Sequence, residues 1–234
     1  MVKLLQRYEE LKLLRSNLDS MFLDAQMYVR PNTQKFDHGQ TSFQDDGSRE
    51  LYDDTAVWCN QMFANGLSSN LIPKSDRWFY LRIANKPSGE LNPEEKKYMQ
   101  DVADRILHEF ALPKSQFYNS SHECFLDIGA YGTSPVQISE VDGVVNFRSR
   151  PLADVFFDTD QHGSVDTVYY RCYKTARQMI QAFPQVEDMD GFQKDNSVHN
   201  KYELVYTIEP NTDPAAKKGS RVGKGRPYKV TYWC

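Results

Sequence analysis

Residues 136–147 have the sequence VQISEVDGVVNF, and this stretch decides the fold class. Two strand-like runs, at 136–139 and 144–147, flank an Asp142-Gly143 pair. An Asp-Gly pair between such runs is a strong local signal for a β-hairpin with a two-residue turn. Apolar residues recur at helical spacing before this stretch and form short strand-like runs after it. The sequence therefore predicts an α+β fold.

Two helices are predicted at the N-terminal end of the chain. Apolar residues at helical spacing place the first helix at about residues 3–28, and Pro31 ends it. The second is predicted from about residue 49 to residue 71, with Ser48 as its N-cap. Gly66 inside this second pattern indicates a close helix contact or a kink.

The next two helices have boundary signals of their own. Asn92 is a suitable N-cap, Pro93 occupies the first helical position, and acidic residues follow where the helix dipole favours them. A fourth helix is predicted from residue 114 to about residue 130, ending near Gly129 or Gly132.

The C-terminal part is predicted to be rich in β-structure. Beyond the hairpin, the pattern predicts strands at 155–157, 165–173, 202–208 and 228–233, a short helix at 175–183 and a loop at 188–200. One more short strand is predicted earlier, at 78–83. We expect N-terminal helices packed on a mostly antiparallel β-sheet or small barrel.

Residues 1–130 then form a helical part and residues 131–234 a β-rich part. The aromatic side chains of Trp58, Trp78 and Phe79 are expected in the core. The run at 228–233 stops one residue before the sequence ends at Cys234. Domains usually end in polar, exposed segments, so we expect this sequence to be a C-terminally truncated part of a longer polypeptide.

Composition excludes several classes of function. There are 28 Lys and Arg residues against 32 Asp and Glu residues, so the net charge is −4, which argues against a protein that coats DNA along its whole surface. The four cysteines form no CxxC pair, so free thiols are expected and no structural zinc or other cofactor. No apolar run has the length of a membrane span, and we expect no membrane partner.

Several segments, taken in order along the chain, resemble the head-to-tail connector (portal) family of short-tailed phages. The strongest resemblance lies in RELYDDTA at 49–56, MFANGLSS at 62–69 and RWFYL at 77–81. Further segments are 126–132, the positions of Phe147, Pro151, Leu152 and Phe157, the stretch at 160–168 that leads to Arg171, Thr175 and Gln178, and 203–210. Each segment alone is only a packed helix or strand, and their order gives the resemblance its specificity.

The resemblance implies the wing of a portal subunit, with the stem and clip in a part beyond this sequence. It implies a homo-oligomeric ring of about twelve copies through which double-stranded DNA is packaged and ejected. Partners would be the major capsid protein, the terminase motor and tail proteins. The location would be the portal vertex of the virion, and the host cytoplasm during assembly. The resemblance implies no catalytic residue, so the protein is expected not to be an enzyme.

One alternative is a metal-dependent enzyme. Asp158-Thr159-Asp160 has the DxD form that holds a divalent cation in some enzymes, and such a site requires converging carboxylates. Short matches of this kind are common by chance, and the same residues before Gly163 also favour an ordinary turn.

A second alternative is a small DNA-binding module that uses a basic segment at 217–229. Its cationic side chains lie between two predicted strands and are Lys217, Lys218, Arg221, Lys224, Arg226 and Lys229. Mobile Lys and Arg loops suit phosphate contacts, so this segment is a candidate for touching DNA or an acidic neighbouring subunit. The same composition is also typical of a solvated hairpin loop.

Overall fold

The computed structural model of the chain describes residues 2–31, 53–83, 92–183, 201–211 and 228–233. The chain divides into two compact units. Unit 1 combines Met1–Asn17 with Asp154–Cys234, and unit 2 is Leu18–Ala153. The predicted boundary near residue 130 is of a different kind, because it separates a helical part from a β-rich part of a wing. It stays a prediction.

The described elements confirm an α+β fold. The helices are α1 (Val2–Val29), α2 (Thr55–Leu71), α3 (Pro93–Ala111), α4 (Phe117–Tyr131) and α5 (Ala176–Ala182), with a 3-10 turn at Leu152–Asp154. The strands are β1 (Val136–Val141), β2 (Val144–Ser149), β3 (Val155–Thr159), β4 (Val165–Thr175), β5 (Lys201–Pro210) and β6 (Tyr228–Trp233). The predicted loop at 188–200 lies outside the described residues.

In unit 2, the predicted hairpin is confirmed. Strands β1 and β2 pair in antiparallel register, with Val141 opposite Val144. Asp142 and Gly143 have φ angles of 52° and 77°, as a tight turn between right-handedly twisted strands requires.

Helix α2 begins later than predicted. The predicted start at about residue 49 is wrong, because Asp53 and Asp54 are not helical and the first turn begins at Thr55. The Asp53 carboxylate accepts hydrogen bonds from the Thr55 backbone N–H at 2.9 Å and from the Thr55 hydroxyl at 2.6 Å. This local capping satisfies a free N–H at the helix start and fixes the boundary there. Ser48, the predicted cap, lies outside the described residues.

Helices α3 and α4 follow their predicted signals closely. The Glu95 carboxylate of α3 accepts from the Asn92 backbone N–H at 2.9 Å, so the local capping signal sets this boundary. Helix α4 starts three residues later than predicted, because Gln116 adopts a left-handed φ of 55° that interrupts the helix. It ends at Gly132, whose φ of 77° is the usual left-handed helix stop.

The strand predicted at 78–83 is wrong, because this segment is irregular and pairs with no described strand. The Trp78 ring instead stacks on Phe110 and Phe117, with ring centroids 6.3 Å and 6.0 Å away. Phe117 also meets Phe147 of β2 edge-on at 5.0 Å. The aromatic residues that suggested a strand therefore serve to pack two helices and the hairpin together.

In unit 1, four antiparallel strands form an open sheet in the order β3-β4-β5-β6. On one face, Tyr8 of α1 packs against Phe156, Tyr169 and Val205, all almost fully buried. On the other face, Met179 of α5 packs against Leu204. The sequence predicted either a mostly antiparallel sheet or a small barrel. The described strands of unit 1 form an open sheet and do not close a barrel.

A buried ion pair joins the 3-10 turn to the sheet in the same unit. The Arg171 guanidinium of β4 donates to the Asp154 carboxylate at 2.8 Å, and both side chains are almost fully buried. Burial alone would lower the pKa of Arg171, but the hydrogen bond and charge of Asp154 outweigh it and raise that pKa. Removing one partner would leave an uncompensated buried charge, so the pair fixes the start of β3.

Candidate functional site

The two carboxylates of the DxD motif are held by partners within the protein. Asp158 accepts a bidentate pair of hydrogen bonds from the Arg7 guanidinium, at 2.7 Å and 2.8 Å, and these hold the pKa of Asp158 below its usual value. Asp160 accepts from the backbone N–H groups of His162 and Ser164 at 2.8 Å and 2.9 Å. The predicted turn before Gly163 is confirmed.

This geometry does not support the metal-enzyme alternative. Within the described ranges, no group of three or more His, Cys, Asp or Glu side chains is arranged to hold a metal ion. The cysteines Cys59, Cys124 and Cys172 are free thiols, and Cys234 lies outside the described residues. Likewise, no helix in the described part of the chain combines the length and apolar character that crossing a membrane requires.

The basic segment is largely outside the described residues: Lys217, Lys218, Arg221, Lys224 and Arg226 have no structural account. Lys229 alone is described. It lies on β6 opposite Glu209 of β5, with its ammonium 3.8 Å from that carboxylate. Lys229 is therefore in a cross-strand ion pair, and the role of the segment as a whole stays a prediction.

Unit 2 carries a concave surface between α2 and α4. Asn60, buried on the inner face of α2, donates to the Leu126 carbonyl of α4 at 3.1 Å and holds the two helices together. Beside this contact lies a groove of about 720 Å³ lined mainly by polar side chains. Its lining includes Asn65 and Ser69 of α2 and Asn119 and His122 of α4.

Within this groove, Ser68 and His122 lie close together but are not arranged as a nucleophile and its base. The Ser68 hydroxyl donates to the Ala64 carbonyl at 2.8 Å and lies 3.3 Å from His122 Nδ1. Since its proton is directed to that carbonyl, Ser68 is not arranged as a nucleophile that donates to a histidine base. Lys74 lies 5.2 Å from the centroid of the Tyr118 ring, over its face.

The outer side of α2 is exposed and carries large apolar side chains. Trp58 is 62% exposed and Met62 is 53% exposed. We call the row of exposed or half-buried residues along this side of α2 the outward stripe, which comprises Trp58, Cys59, Met62, Asn65, Gly66 and Ser69. The prediction that Trp58 lies in the core is wrong, because α2 turns Asn60 and Ala64 towards α4 instead. Trp78, by contrast, packs within the aromatic cluster as predicted.

Neither the groove nor the outward stripe was predicted as a site. One signal in the sequence could have indicated the stripe: α2 contains no Asp, Glu, Lys or Arg. A surface helix without charge is unusual, because the solvent-facing side of an amphipathic helix normally carries charged residues. The groove left no such signal, since serine, asparagine and histidine are common on any surface.

A comparison with known protein families decides which family this fold and surface belong to. The family described as "Bacteriophage head to tail connecting protein" matches residues 2–234. The chain belongs to this family. The resemblance seen in the ordered segments from residue 49 to residue 210 is thereby confirmed.

Two curated relatives of this head-to-tail connecting chain carry portal names. A portal protein of Salmonella phage epsilon15 is 23% identical over 99% of the chain, and a probable portal protein of Bordetella phage BPP-1 is 23% identical over 98%. In both cases the match covers 41% of the relative's own length. The chain therefore spans about two fifths of the length of these relatives.

Proposed function

We propose that the chain is the wing-forming part of a portal subunit, the protein that joins capsid and tail. In this proposal about twelve copies form a ring through which double-stranded DNA is packaged and later ejected. One observation carries the proposal, which is the match to the connecting-protein family over residues 2–234, with two portal relatives aligned over nearly the whole chain.

The proposed role is structural and mechanical. The terminase motor would supply the ATP chemistry, and the major capsid protein and tail proteins would bind the outside of the ring. The subunit would act at the portal vertex of the virion after assembly in the host cytoplasm. The carboxylates of Asp158 and Asp160 are engaged by Arg7 and by backbone N–H groups, so the DxD motif lends no support to the alternative of a metal-dependent enzyme.

A ring of identical subunits requires two different contact surfaces on each copy, because head-to-tail interfaces are heterologous. Each unit has exposed apolar side chains that could form such contacts. In unit 1 these include Leu13 and Leu14, which are 75% and 70% exposed. In unit 2 they include Trp58 and Ile138, which are 62% and 64% exposed. Where such side chains lie together, as Trp58 and Met62 do one turn apart on α2, they are typical of a surface that is covered on assembly.

The test is the assembly state of the full-length protein, measured by mass photometry and by negative-stain imaging. We expect closed rings of about a dozen copies with a central hole, as heterologous closure requires. A protein that stays monomeric across the accessible range of concentration and salt would contradict the proposal.

A further inference from the structure

The β1–β2 hairpin of unit 2 carries two arginines on one of its faces. Arg148 lies opposite Gln137 in the strand pairing, and Arg150 follows two positions later. The Arg150 backbone N–H donates to the Pro135 carbonyl at 2.9 Å, so the pairing continues one step beyond β2. Because side chains alternate across a strand, Arg148 and Arg150 project from the same face, with Cα atoms about 7 Å apart.

A neutral amide orients each of the two guanidinium groups. Arg148 Nε donates to the Asn146 side-chain oxygen at 3.1 Å. Asn146 is 5% exposed, and its amide nitrogen donates to the Lys114 carbonyl at 2.6 Å, which fixes that amide in turn. Arg150 donates through Nε and Nη2 to the Gln137 side-chain oxygen, at 2.8 Å and 2.6 Å. The accepting oxygens carry no formal charge, so these bonds orient the arginines and cancel none of their charge.

Four other arginines of the described structure donate to carboxylates. These are Arg7, Arg30, Arg77 and Arg171. Arg148 differs from them, because it is exposed and lies within ion-pair distance of no carboxylate among the described residues. Its terminal nitrogens, Nη1 and Nη2, donate to no group in that part of the chain. Arg148 therefore presents an oriented positive charge to the surroundings of the protein.

The side of the hairpin that carries these groups has no acidic residue. We call it the arginine face, which comprises Gln137, Ser139, Val141, Val144, Asn146, Arg148 and Arg150. Glu140, the one acidic residue within the two strands, belongs to the opposite face. Asp142 in the turn is paired with Lys114 at 3.2 Å. Arginine with amide and hydroxyl side chains beside it is the combination that proteins use to contact phosphate oxygens.

We infer that the arginine face binds a phosphate group, with Arg148 as its principal contact. A guanidinium presents N–H groups in one plane, which match two oxygens of a phosphate, and such charge-assisted bonds are about twice as strong as neutral ones. The phosphate belongs either to a polynucleotide backbone or to a free phosphate ion, and its chemistry at Arg148 is the same in both cases. The inference goes beyond the proposed function, because it concerns a site on each copy and requires no ring.

The spacing and the orientation of the arginines favour a polynucleotide as the source. Phosphates repeat regularly along a nucleic-acid strand, so two guanidinium groups about 7 Å apart on one face suit successive phosphates. Carboxylates on a protein partner have no such fixed repeat. An arginine that is already oriented also loses less side-chain entropy when the ligand binds.

The experiment compares Arg148→Gln with Arg105→Gln in the full-length protein. Arg105 is an exposed arginine on α3 of the same unit, so both variants lose the same charge at an exposed position. The probes are a short labelled DNA duplex, followed by fluorescence anisotropy, and inorganic phosphate, followed by titration calorimetry. For Arg148→Gln we expect the affinity for the duplex to fall about tenfold, as loss of one charged hydrogen-bonding group does. The logarithmic dependence on salt should fall by about 0.9.

Arg105→Gln should change the affinity for the duplex by less than about twofold, since salt at about 0.1 M screens charges that are not in contact with the ligand. Because Arg148 and Arg105 are both exposed, the two variants should melt within a few degrees of the wild type.

Gln137→Glu tests the charge of the arginine face with both arginines still in place. Glutamate keeps the acceptor oxygens that Arg150 uses, and it adds a negative charge opposite Arg148. We expect an unchanged or higher melting temperature together with an affinity for phosphate that is about tenfold lower. A purely structural role of the arginines would not separate these two measurements.

The two probes distinguish the two sources of phosphate. A loss of affinity for the duplex in Arg148→Gln assigns the site to a polynucleotide, and a loss of affinity for inorganic phosphate alone assigns it to a free ion. Wild-type protein that binds neither probe would overturn the inference, and so would equal effects of Arg148→Gln and Arg105→Gln on both affinities. If Arg148→Gln keeps both affinities but loses binding of a capsid or tail protein, the ligand is a protein carboxylate and the inference is wrong. Ring formation tests the proposed function separately, because none of these binding measurements depends on it.

Discussion

The Arg7–Asp158 pair is a contact between residues 151 positions apart in the sequence, and it shows what a single residue can do in this fold. Two parallel hydrogen bonds from one guanidinium to one carboxylate fix the relative position of α1 and β3 within unit 1. Asp158 was considered as a metal ligand from the sequence. The spacing of the two aspartates is visible in the sequence. The position of Arg7 beside Asp158 is not, because it depends on how the chain folds.

This pair predicts a dependence of stability on pH. The pKa of Asp158 is lowered in the folded state, chiefly by the hydrogen bond from Arg7. Its contribution is therefore present above the unfolded-state pKa of about 4 and is lost as the pH falls below it. Arg7 is 43% exposed, so we expect Asp158→Asn to cost about 1 kcal/mol or less at pH 7. That cost should shrink towards zero at pH 2–3, measured by urea unfolding at each pH.

Arg7→Gln supplies the control, because it removes the same interaction from the other side. It should reduce the same acid-dependent part of stability, and the double variant should lose little more than either single variant. Equal pH dependence in the wild type and in both single variants would contradict this account.

At the scale of elements, the contact between α2 and α4 depends on Gly129, whereas Gly66 of α2 takes no part in it. A Cβ atom on Gly129 of α4 would overlap the Asn60 amide oxygen and lie 3.0 Å from Phe63 Cδ1. A Cβ atom on Gly66 of α2 would meet nothing within 4 Å. Of the two alternatives predicted at Gly66, a close helix contact or a kink, the close contact is therefore wrong, and the close approach occurs at Gly129. Both are glycines in helical patterns, and only the packing distinguishes them.

Substitution by alanine should therefore have opposite effects at Gly129 and at Gly66. Gly129→Ala should destabilise the protein by about 1–3 kcal/mol, because Asn60 is buried and would have to give up its bond to Leu126. Gly66→Ala should stabilise the unassembled subunit by up to about 1 kcal/mol through helix propensity. Urea unfolding followed by circular dichroism measures both, and a stable Gly129→Ala variant would argue against the tight contact.

The elements that could be predicted from the sequence are those with local signals. The Asp142-Gly143 turn and the Asn92-Pro93 start of α3 depend on the conformations of a few neighbouring residues, and both appear where predicted. Aromatic residues at 78–83 and Trp58 were assigned wrongly. Their role is decided by contacts distant in sequence, since the same hydrophobic residue can pack in a core or stand on a contact surface.

At the scale of the whole molecule, the α+β class could be predicted from the sequence. The family match confirms the resemblance. The division of the chain into these two units was not predicted. Unit 1 is built from two separated stretches, and this depends on Tyr8 packing against residues such as Tyr169 and Val205. A helical pattern indicates which residues share a face but not which distant strand covers that face. The outward stripe was missed for a similar reason, because the sequence alone does not show which side of α2 meets α4.

Charge is also a whole-molecule property, and it bears on the basic segment at 217–229. A net charge of −4 argues against a surface that binds DNA everywhere, so this local basic segment is a candidate for phosphate contacts. We expect replacement of Lys217, Lys218, Arg221, Lys224 and Arg226 by glutamine to reduce the dependence of duplex binding on salt. The logarithmic slope should fall by up to about 0.9 for each phosphate that the segment no longer neutralises. Fluorescence anisotropy at several salt concentrations measures the slope, and an unchanged slope would exclude contact between this segment and DNA.

The discontinuity of unit 1 has a consequence for the chain during its synthesis. Tyr8 is synthesised well before Tyr169 and Val205, which bury it. At about 5–20 residues per second, Val205 follows Tyr8 after roughly 10–40 s. Unit 2 is one continuous stretch and is translated in full before most of the sheet exists. The residues around Tyr8 are therefore synthesised before unit 2, whereas the strands that bury them are synthesised after it, and the speed of translation sets how long their apolar side chains stay in water.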